Sequence, residues 1–185
     1  MKILMVSGLM TDPELIWDQI RAAFEKRLPE ATFHVETEPG CKLREIGRFR
    51  SFTKRIAEKY DDGEDLLIVG HSLGGVLACA MQSLMYRSRV VGITTVHAPH
   101  RFFFGICTHI FHAKCVSAPV LSFQGLSDGL VWWGTKHPNA VRHIRNHANH
   151  FHDLWEHTEN AELIAEETVR TFFPSLAINA ADAHV

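Results

Sequence analysis

The sequence has no long hydrophobic run. Its N-terminal apolar stretch ends before Asp12 and Pro13, and a helix that crosses a bilayer needs about 20 predominantly apolar residues. The same stretch is too short for the apolar region and cleavage site of a signal peptide. We therefore expect a soluble, cytoplasmic protein with no stable membrane insertion.

Cysteines are few and show no paired spacing. Four are present, none in a CxxC pair, which is too sparse a set for a disulfide framework. We interpret Cys41, Cys79, Cys107 and Cys115 as reduced thiols. Cys107 and Cys115 lie near enough in sequence to form a bridge if the compartment is oxidising.

The chain also lacks a strong net charge. Its 19 basic and 21 acidic side chains give a formal charge of −2, whereas a protein dedicated to binding nucleic acid is normally strongly basic. No nucleic-acid partner is expected. With 185 residues, of which 46% are hydrophobic, the chain can bury a core without a disulfide or metal staple. We predict one domain over residues 1–173 and a flexible tail over residues 174–185.

Short apolar runs alternate with amphipathic segments along the chain. Continuously apolar strands are typical of a parallel sheet that is covered on both faces. Their alternation with helices indicates an α/β fold with a mostly parallel sheet of about six strands. The predicted strands cover residues 2–8, 31–37, 66–69, 90–96, 119–123 and 141–145, and the predicted helices cover residues 11–28, 42–60, 73–86 and 160–173.

The predicted helix over residues 42–60 is basic. It contains seven basic residues and two acidic ones, Glu45 and Glu58. Such a helix can bind an anion or a partner, but a solvated helix face is the favoured interpretation. The basic residues are Lys42, Arg44, Arg48, Arg50, Lys54, Arg55 and Lys59.

The sequence Gly70-His71-Ser72-Leu73-Gly74 fits the pattern G-x-S-x-G between a predicted strand and a predicted helix. A serine hydroxyl is a weak nucleophile, so it must stand on an exposed, sharp turn where a histidine can take its proton. The flanking glycines let the strand and the helix approach closely. The pattern predicts Ser72 as a nucleophile, and the alternative is a glycine turn with an idle serine.

This motif resembles the nucleophile elbow of the α/β-hydrolase superfamily. The resemblance is to small lipase-like and esterase-like members, and it extends from the first strand to about residue 170. It implies a single-domain, three-layer fold with a short cap over residues 99–117. It further implies a serine hydrolase that cleaves carboxylic esters through an acyl-enzyme on Ser72, without a cofactor.

Residues 125–131, Gly-Leu-Ser-Asp-Gly-Leu-Val, match the G-x-x-D-x-x-V loop of the same family. The match implies that Asp128 is the acid of a catalytic triad, which fixes the histidine tautomer and stabilises the imidazolium. An aspartate that only caps a turn is the alternative. The chain order of serine, aspartate and then histidine is the order of this fold.

The first strand ends in Val6-Ser7-Gly8-Leu9, where the family commonly has a His-Gly pair. Ser7 replaces that histidine, which leaves open how the first loop is held. The oxyanion donors in this fold are main-chain N–H groups, so the replacement does not remove them. We assign the oxyanion hole to the amides of Leu9 and Leu73.

The resemblance implies that the catalytic histidine lies in the loop between the last strand and the last helix, which leaves His147, His150 and His152 as candidates. If the strand ends near Arg145, His147 lies too close to it, and His152 lies too close to the next helix. We therefore favour His150. The glycine that usually precedes this histidine is replaced by Asn149, so the other two remain alternatives.

The same histidines suggest a metal site as a rival hypothesis. His147, His150 and His152, with His143 or Asp153, carry ligand types that suit zinc. Their spacing fits no strong motif, however, and H-E-x-x-H is absent. We predict that no metal takes part in catalysis.

Apolar residues of the predicted cap suggest a pocket for an acyl group. Phe102, Phe103 and Phe104 lie between two predicted strands, and Trp132 follows the acid loop. Core packing is the alternative role for these side chains. The predicted partner is a small-molecule ester or acyl substrate.

Two alternative functions remain open. A thioesterase or an acyltransferase would use the same triad. A non-catalytic binding protein on a hydrolase scaffold would instead use the basic helix.

Overall fold

The computed structural model of the protein describes residues 1–8, 13–37, 46–100, 116–131, 135–150 and 158–176. The predicted alternation of strands and helices is confirmed. In chain order the elements are β1 (Lys2–Val6), α1 (Pro13–Arg27), β2 (Thr32–Glu36), α2 (Ile46–Tyr60), β3 (Leu66–His71), α3 (Leu73–Gln82), β4 (Val90–Val96), β5 (Val120–Gly125), β6 (Ala140–Asn146) and α4 (Thr158–Phe172). Within the described ranges, every helix falls short of the length and apolar character that a membrane crossing requires.

The six strands form one sheet in the order β2-β1-β3-β4-β5-β6. All five neighbouring pairs are parallel, so the carboxyl ends of all the strands meet at one edge. The chain leaves β1 for β2 on one side and returns to β3 on the other. Ligand sites of open α/β sheets lie at the carboxyl edge beside such a reversal, and β1 and β3 both end there.

Helices cover both faces of the sheet and give three layers. Alternate residues of β1 show the division, because Ile3 and Met5 pack with α1 and α4, whereas Leu4 and Val6 pack with α2 and α3. The central strands β1, β3, β4 and β5 are therefore largely buried on both sides, whereas the edge strands β2 and β6 are partly exposed. This double burial explains why the sequences of β1, β3 and β5 are mostly continuous apolar runs rather than alternating ones.

Helix α3 ends at Gln82, whereas the sequence predicted an end near Tyr86. Asp61 causes this difference, because its carboxylate accepts the N–H groups of Tyr86, Arg87 and Ser88 at 3.0, 2.7 and 2.7 Å. Burial acts to raise the pKa of Asp61, but these three hydrogen bonds outweigh burial and hold the pKa below its usual value. The bonds fix a turn where the helical pattern would otherwise continue.

Helix α2 packs its apolar side into the core and turns its basic side outward. Phe49, Phe52 and Ile56 are buried against α3. The exposed face carries Arg48, Arg50, Lys54, Arg55 and Lys59. This arrangement agrees with a solvated basic face. Residues 42–45, where the sequence predicted the start of this helix, lie outside the described ranges.

Helix α3 approaches β1 and β3 at contact distance through two glycines. A Cβ atom on Gly74 would lie 2.1 Å from the carbonyl oxygen of Val6, and one on Gly70 would lie 2.5 Å from the carbonyl oxygen of Gly74. The obstructing atoms are main-chain atoms, which cannot rotate away. The glycines of the G-x-S-x-G pattern are therefore required by the approach of three main-chain segments.

We predict that Gly74→Ala lowers the free energy of unfolding by at least about 2 kcal/mol, because the new methyl group forces the backbone of β1 away. This loss opposes a helix-propensity gain of up to about 1 kcal/mol. Urea denaturation monitored by circular dichroism measures it. Gly129→Ala is the matched control, since its added Cβ meets no atom within 4 Å, and it should change stability by less than about 0.5 kcal/mol. Equal losses in the two variants would contradict the close approach.

Candidate active site

Ser72 occupies a strained turn between β3 and α3. Its backbone has φ 54° and ψ −130°, a conformation that non-glycine residues adopt only where the surrounding structure enforces it. The Ser72 N–H donates to the carbonyl of Val96 at 2.9 Å, and the Ser72 carbonyl accepts the N–H of Gly75 at 3.0 Å. These bonds hold the turn at the carboxyl edge of the sheet.

The structure brings Ser72, His150 and Asp128 together in one hydrogen-bonded row. The Nε2 atom of His150 lies 2.9 Å from the Ser72 Oγ, and its Nδ1 atom lies 2.7 Å from the Asp128 Oδ2. His147 is exposed instead, and His152 lies outside the described residues. Among the described candidates, His150 therefore has the position that a base for Ser72 requires.

Asp128 is buried and fully engaged. Its Oδ1 atom accepts the N–H groups of Leu130 and Val131 at 2.9 and 2.8 Å. Burial acts to raise the pKa of Asp128, but the hydrogen bonds from His150 and Val131 outweigh it and leave the pKa below its usual value. As an ionised acceptor, Asp128 holds the proton of His150 on Nδ1, so Nε2 presents a lone pair to the Ser72 hydroxyl.

Gly8, at the start of the loop that follows β1, lies directly against the serine turn. A Cβ atom on Gly8 would lie 2.6 Å from the Ser72 Cβ and 3.1 Å from the Leu73 nitrogen. Leu73 begins α3, and the first N–H groups of a helix have no acceptor within that helix. Its amide is thus available beside Ser72, whereas Leu9 lies outside the described residues.

Ser7 has a structural role that sequence reasoning left open. Its hydroxyl accepts the indole N–H of Trp17 in a buried bond of 2.8 Å, and its N–H donates to the carbonyl of Glu36 at 3.0 Å. The start of the first loop is therefore tied to α1 and to β2. The predicted acyl-pocket residues Phe102, Phe103, Phe104 and Trp132 lie outside the described ranges, as does most of the predicted cap.

Two histidines that sequence reasoning did not assign to the site contact the same row. The Nε2 of His71 lies 2.8 Å from the carbonyl oxygen of His150. The Nε2 of His97 lies 3.2 Å from the Asn146 Oδ1, and its Nδ1 lies 3.8 Å from the Asp128 Oδ2. The available signal was positional, since His71 ends β3 and His97 directly follows β4.

Both of these histidines are neutral near pH 7. Burial lowers the pKa of His71 well below its usual value, and the neighbouring His150 and His97 lower it further. Burial also lowers the pKa of His97 to about 4, although Asp128 acts in the opposite direction. Their ring nitrogens therefore act as neutral donors and acceptors.

Two sets of side chains in the described ranges have metal-ligand atoms within 4.8 Å of one another. In the first set, His71, His97 and His150, both ring nitrogens of His150 are already hydrogen-bonded to Ser72 and Asp128. Neither of the predicted ligands His147 and His143 belongs to either set, and His152 and Asp153 lie outside the described residues.

The second set consists of Cys79, His100 and His137, all buried. The Nδ1 of His137 accepts the N–H of Asn139 at 3.1 Å, which favours a proton on Nε2. Ligation of a metal by His137 would have to break this hydrogen bond or reverse the tautomer. Burial also raises the pKa of the Cys79 thiol, which disfavours the thiolate that a metal would bind.

A cavity of about 700 Å³ lies between α2, α3 and the turn after α3. Charged side chains line it, including Arg50, Lys54, Asp61 and Arg87. None of its lining residues belongs to the row of Ser72, His150 and Asp128. The cavity is therefore separate from the candidate active site.

No family model matches the sequence, and no curated protein matches it. Solved structures resemble the fold closely over most of the chain. An α/β hydrolase enzyme from a sediment metagenome of the Mar Chica lagoon, Morocco, has 14% identity and a TM-score of 0.64, with 92% of this chain and 90% of that chain covered.

Two further structures are similar to this chain. The RedJ thioesterase from the prodiginine pathway of Streptomyces coelicolor has 16% identity and a TM-score of 0.61, covering 90% of this chain and 84% of that one. The esterase domain of a Rhodothermus marinus protein has 14% identity and a TM-score of 0.58, covering 92% and 87%. With the parallel sheet, the strand order and the strained serine turn, these likenesses establish that the chain has the α/β-hydrolase fold.

Proposed function

We propose that the protein is a serine hydrolase that cleaves carboxylic ester or thioester bonds of small acyl substrates through an acyl-enzyme on Ser72. The observation that carries the proposal is the unbroken row of hydrogen bonds from the Ser72 hydroxyl through His150 to Asp128. A nucleophile, a base and a group that orients the base are the parts that this chemistry needs.

In the first half of the reaction, the Ser72 Oγ attacks the substrate carbonyl carbon while its proton passes to the Nε2 of His150. Asp128 stabilises the imidazolium that forms without taking its proton. The tetrahedral intermediate collapses, and the alcohol or thiol leaves with the proton from Nε2. In the second half, His150 takes a proton from water and the hydroxide adds to the acyl carbonyl. The second tetrahedral intermediate then collapses and releases the acid, while the Nε2 of His150 returns the proton to the Ser72 Oγ.

Negative charge develops on the carbonyl oxygen during both halves. The Leu73 N–H, at the start of α3, is our proposed donor to that oxygen, with the Leu9 N–H as its proposed partner. The partial positive charge at the beginning of the helix acts in the same direction. Both donors are main-chain groups, so their positions follow from the serine turn and from the first loop.

A binding protein without catalytic activity would not require the strained backbone conformation of Ser72. Residues held in such conformations cost about 1–3 kcal/mol and persist mainly at functional sites. A binding role through the basic face of α2 would need neither this turn nor a buried carboxylate aligned with His150. The strained serine therefore favours the enzyme over the binding protein.

We predict that Ser72→Ala lowers the turnover of a p-nitrophenyl ester by about 10⁴-fold or more and removes labelling by a fluorophosphonate probe. The fold should persist, because the substitution removes one hydroxyl group and introduces no new atom. Steady-state kinetics and mass spectrometry of the labelled protein measure the two effects. Ser127→Ala is the matched control, because Ser127 is an exposed serine in the loop that carries Asp128. This variant should retain activity and labelling. A wild-type protein that the probe does not label would contradict the proposal.

We predict that His150→Gln loses activity by about the same factor as Ser72→Ala, because triad members act as a unit and their losses do not add. The double variant Ser72→Ala, His150→Gln should be no worse than either single variant. His147→Gln should stay near wild type. An inactive His147→Gln beside an active His150→Gln would show that the base has been assigned to the wrong histidine.

The leaving group is tested with an ethyl ester and an ethyl thioester of the same acyl chain. A thioesterase and an esterase are both among the similar structures, so we expect measurable hydrolysis of both. Ser72→Ala should abolish both activities, since one acyl-enzyme serves both. Hydrolysis of either substrate that persists in Ser72→Ala would separate that activity from this site. Transfer of the acyl group to an added alcohol in place of water would favour the acyltransferase alternative.

A further inference from the structure

The segment that carries the proposed base, residues 146–150, is here called the base loop. One side of it is tied to the loop that carries Asp128. The carbonyl of Asn146 accepts the N–H of Leu126 at 2.8 Å, and the carbonyl of Ala148 accepts the N–H of Ser127 at 3.2 Å. These bonds hold Asn146 and Ala148, and His71 and His97 contact the same loop.

His71 joins the serine turn to the main chain of the base. It is the last residue of β3, directly before Ser72, and its side chain is fully buried. A carbonyl oxygen can only accept, so the Nε2–H of His71 donates to the His150 carbonyl at 2.8 Å. The two rings also pack against each other, with centroids 5.0 Å apart. One side chain thus sets the distance between the nucleophile and the backbone of the base.

His97 supports the same loop from the next strand. Its Nε2–H donates to the Asn146 Oδ1 at 3.2 Å, and it is also hydrogen-bonded to the main chain of Asn149. Its backbone has φ 51°, in the left-handed region. Gly125 makes room for the ring, since a Cβ atom there would lie 2.8 Å from the His97 Cε1.

The tautomer of the neutral His97 ring leaves Asp128 available to His150. With its proton on Nε2, the ring presents a lone pair from Nδ1, which lies 3.8 Å from the Asp128 Oδ2. Two acceptors cannot form a hydrogen bond with each other. The Asp128 Oδ2 is therefore left to the Nδ1–H of His150, and His97 contributes through the base loop rather than through the carboxylate.

We propose that His71 and His97 are positioning residues, which hold the base loop so that His150 stays in line between Ser72 and Asp128. This inference rests on the proposed function. It assigns a catalytic consequence to two residues that touch neither the substrate nor the reacting atoms. A displacement of the base by about 1 Å can cost about 10²-fold in rate, so support of this kind should be visible in turnover.

The test replaces His71 by leucine, which removes the donor, and by glutamine, whose side-chain amide can restore it. We expect His71→Leu to lower kcat by about 10²-fold with KM changed by less than about threefold. His71→Gln should recover to within about tenfold of wild type. Amide hydrogen exchange over residues 146–150 should accelerate in His71→Leu and return toward wild type in His71→Gln. The same pair at His97 should show a smaller loss, about tenfold for leucine, because its bonds do not reach His150 itself.

Thr94→Val is the matched control. Like the histidine variants, it removes a buried hydrogen bond, here the one between the hydroxyls of Thr94 in β4 and Thr168 in α4 at 3.0 Å. That bond joins the sheet to α4 and involves no residue of the candidate site. It should leave kcat and the exchange of residues 146–150 unchanged. A similar fall of kcat in Thr94→Val would mean that general destabilisation explains the effect and would overturn the inference.

Three other results would also overturn the inference. In the first, His71→Leu and His97→Leu leave the exchange of the base loop unchanged. In the second, glutamine is as impaired as leucine at position 71, so that packing rather than the hydrogen bond matters. In the third, the base loop loosens as expected but the wild-type protein does not react with a fluorophosphonate. That result means that the proposed function has failed and that the histidines are only structural.

Discussion

The serine turn depends on a contact between main chains. Where β1, β3 and α3 converge, Gly74 lies against the carbonyl of Val6 and Gly70 lies against the carbonyl of Gly74, with no room for a Cβ atom at either glycine. Because the contact is between backbones, no change of rotamer relieves it. The helix α3 can therefore begin directly after the strand β3, and Ser72 is the single residue that joins them. The position of the Leu73 amide beside Ser72 follows from this contact.

The parallel sheet brings together the other groups of the site. Ser7, Ser72 and His97 each come directly after a strand, and each donates its N–H to the neighbouring strand, to Glu36, Val96 and Phe123 respectively. The hydrogen-bond ladder thus continues one residue past the end of β1, β3 and β4, into the residues that form the site. Two of these three residues, Ser72 and His97, have positive φ, at a cost of about 1–3 kcal/mol each. The ladder bonds and the close packing oppose that cost.

The sequence allowed prediction of those features that are encoded within a few residues. The continuous apolar strands, the G-x-S-x-G turn and the loop around Asp128 have local patterns, and the α/β fold predicted from them is confirmed. The end of α3 was predicted wrongly, because Asp61 holds the turn after the helix through Tyr86, which lies 25 residues further along the chain. His71 and His97 were missed for the same reason, since their partners in the base loop lie 79 and 49 residues further along the chain. Ser7 read only as a departure from a family pattern, because its partner Trp17 lies on a separate helix.

The preference for His150 over its neighbours illustrates how far sequence alone could go. Spacing from the last strand limited the base to three histidines, but spacing contains no information on which carbonyl or carboxylate each one meets. In the structure, His150 is hydrogen-bonded to Asp128, to Ser72 and to His71. His147 is exposed instead. Two of the bonds to His150 fix the ring, and the third fixes the backbone behind it. Because the proposed base is held at both its ring and its backbone, it would lose little conformational freedom when a substrate binds, which favours proton transfer over a hydrogen bond of ordinary length.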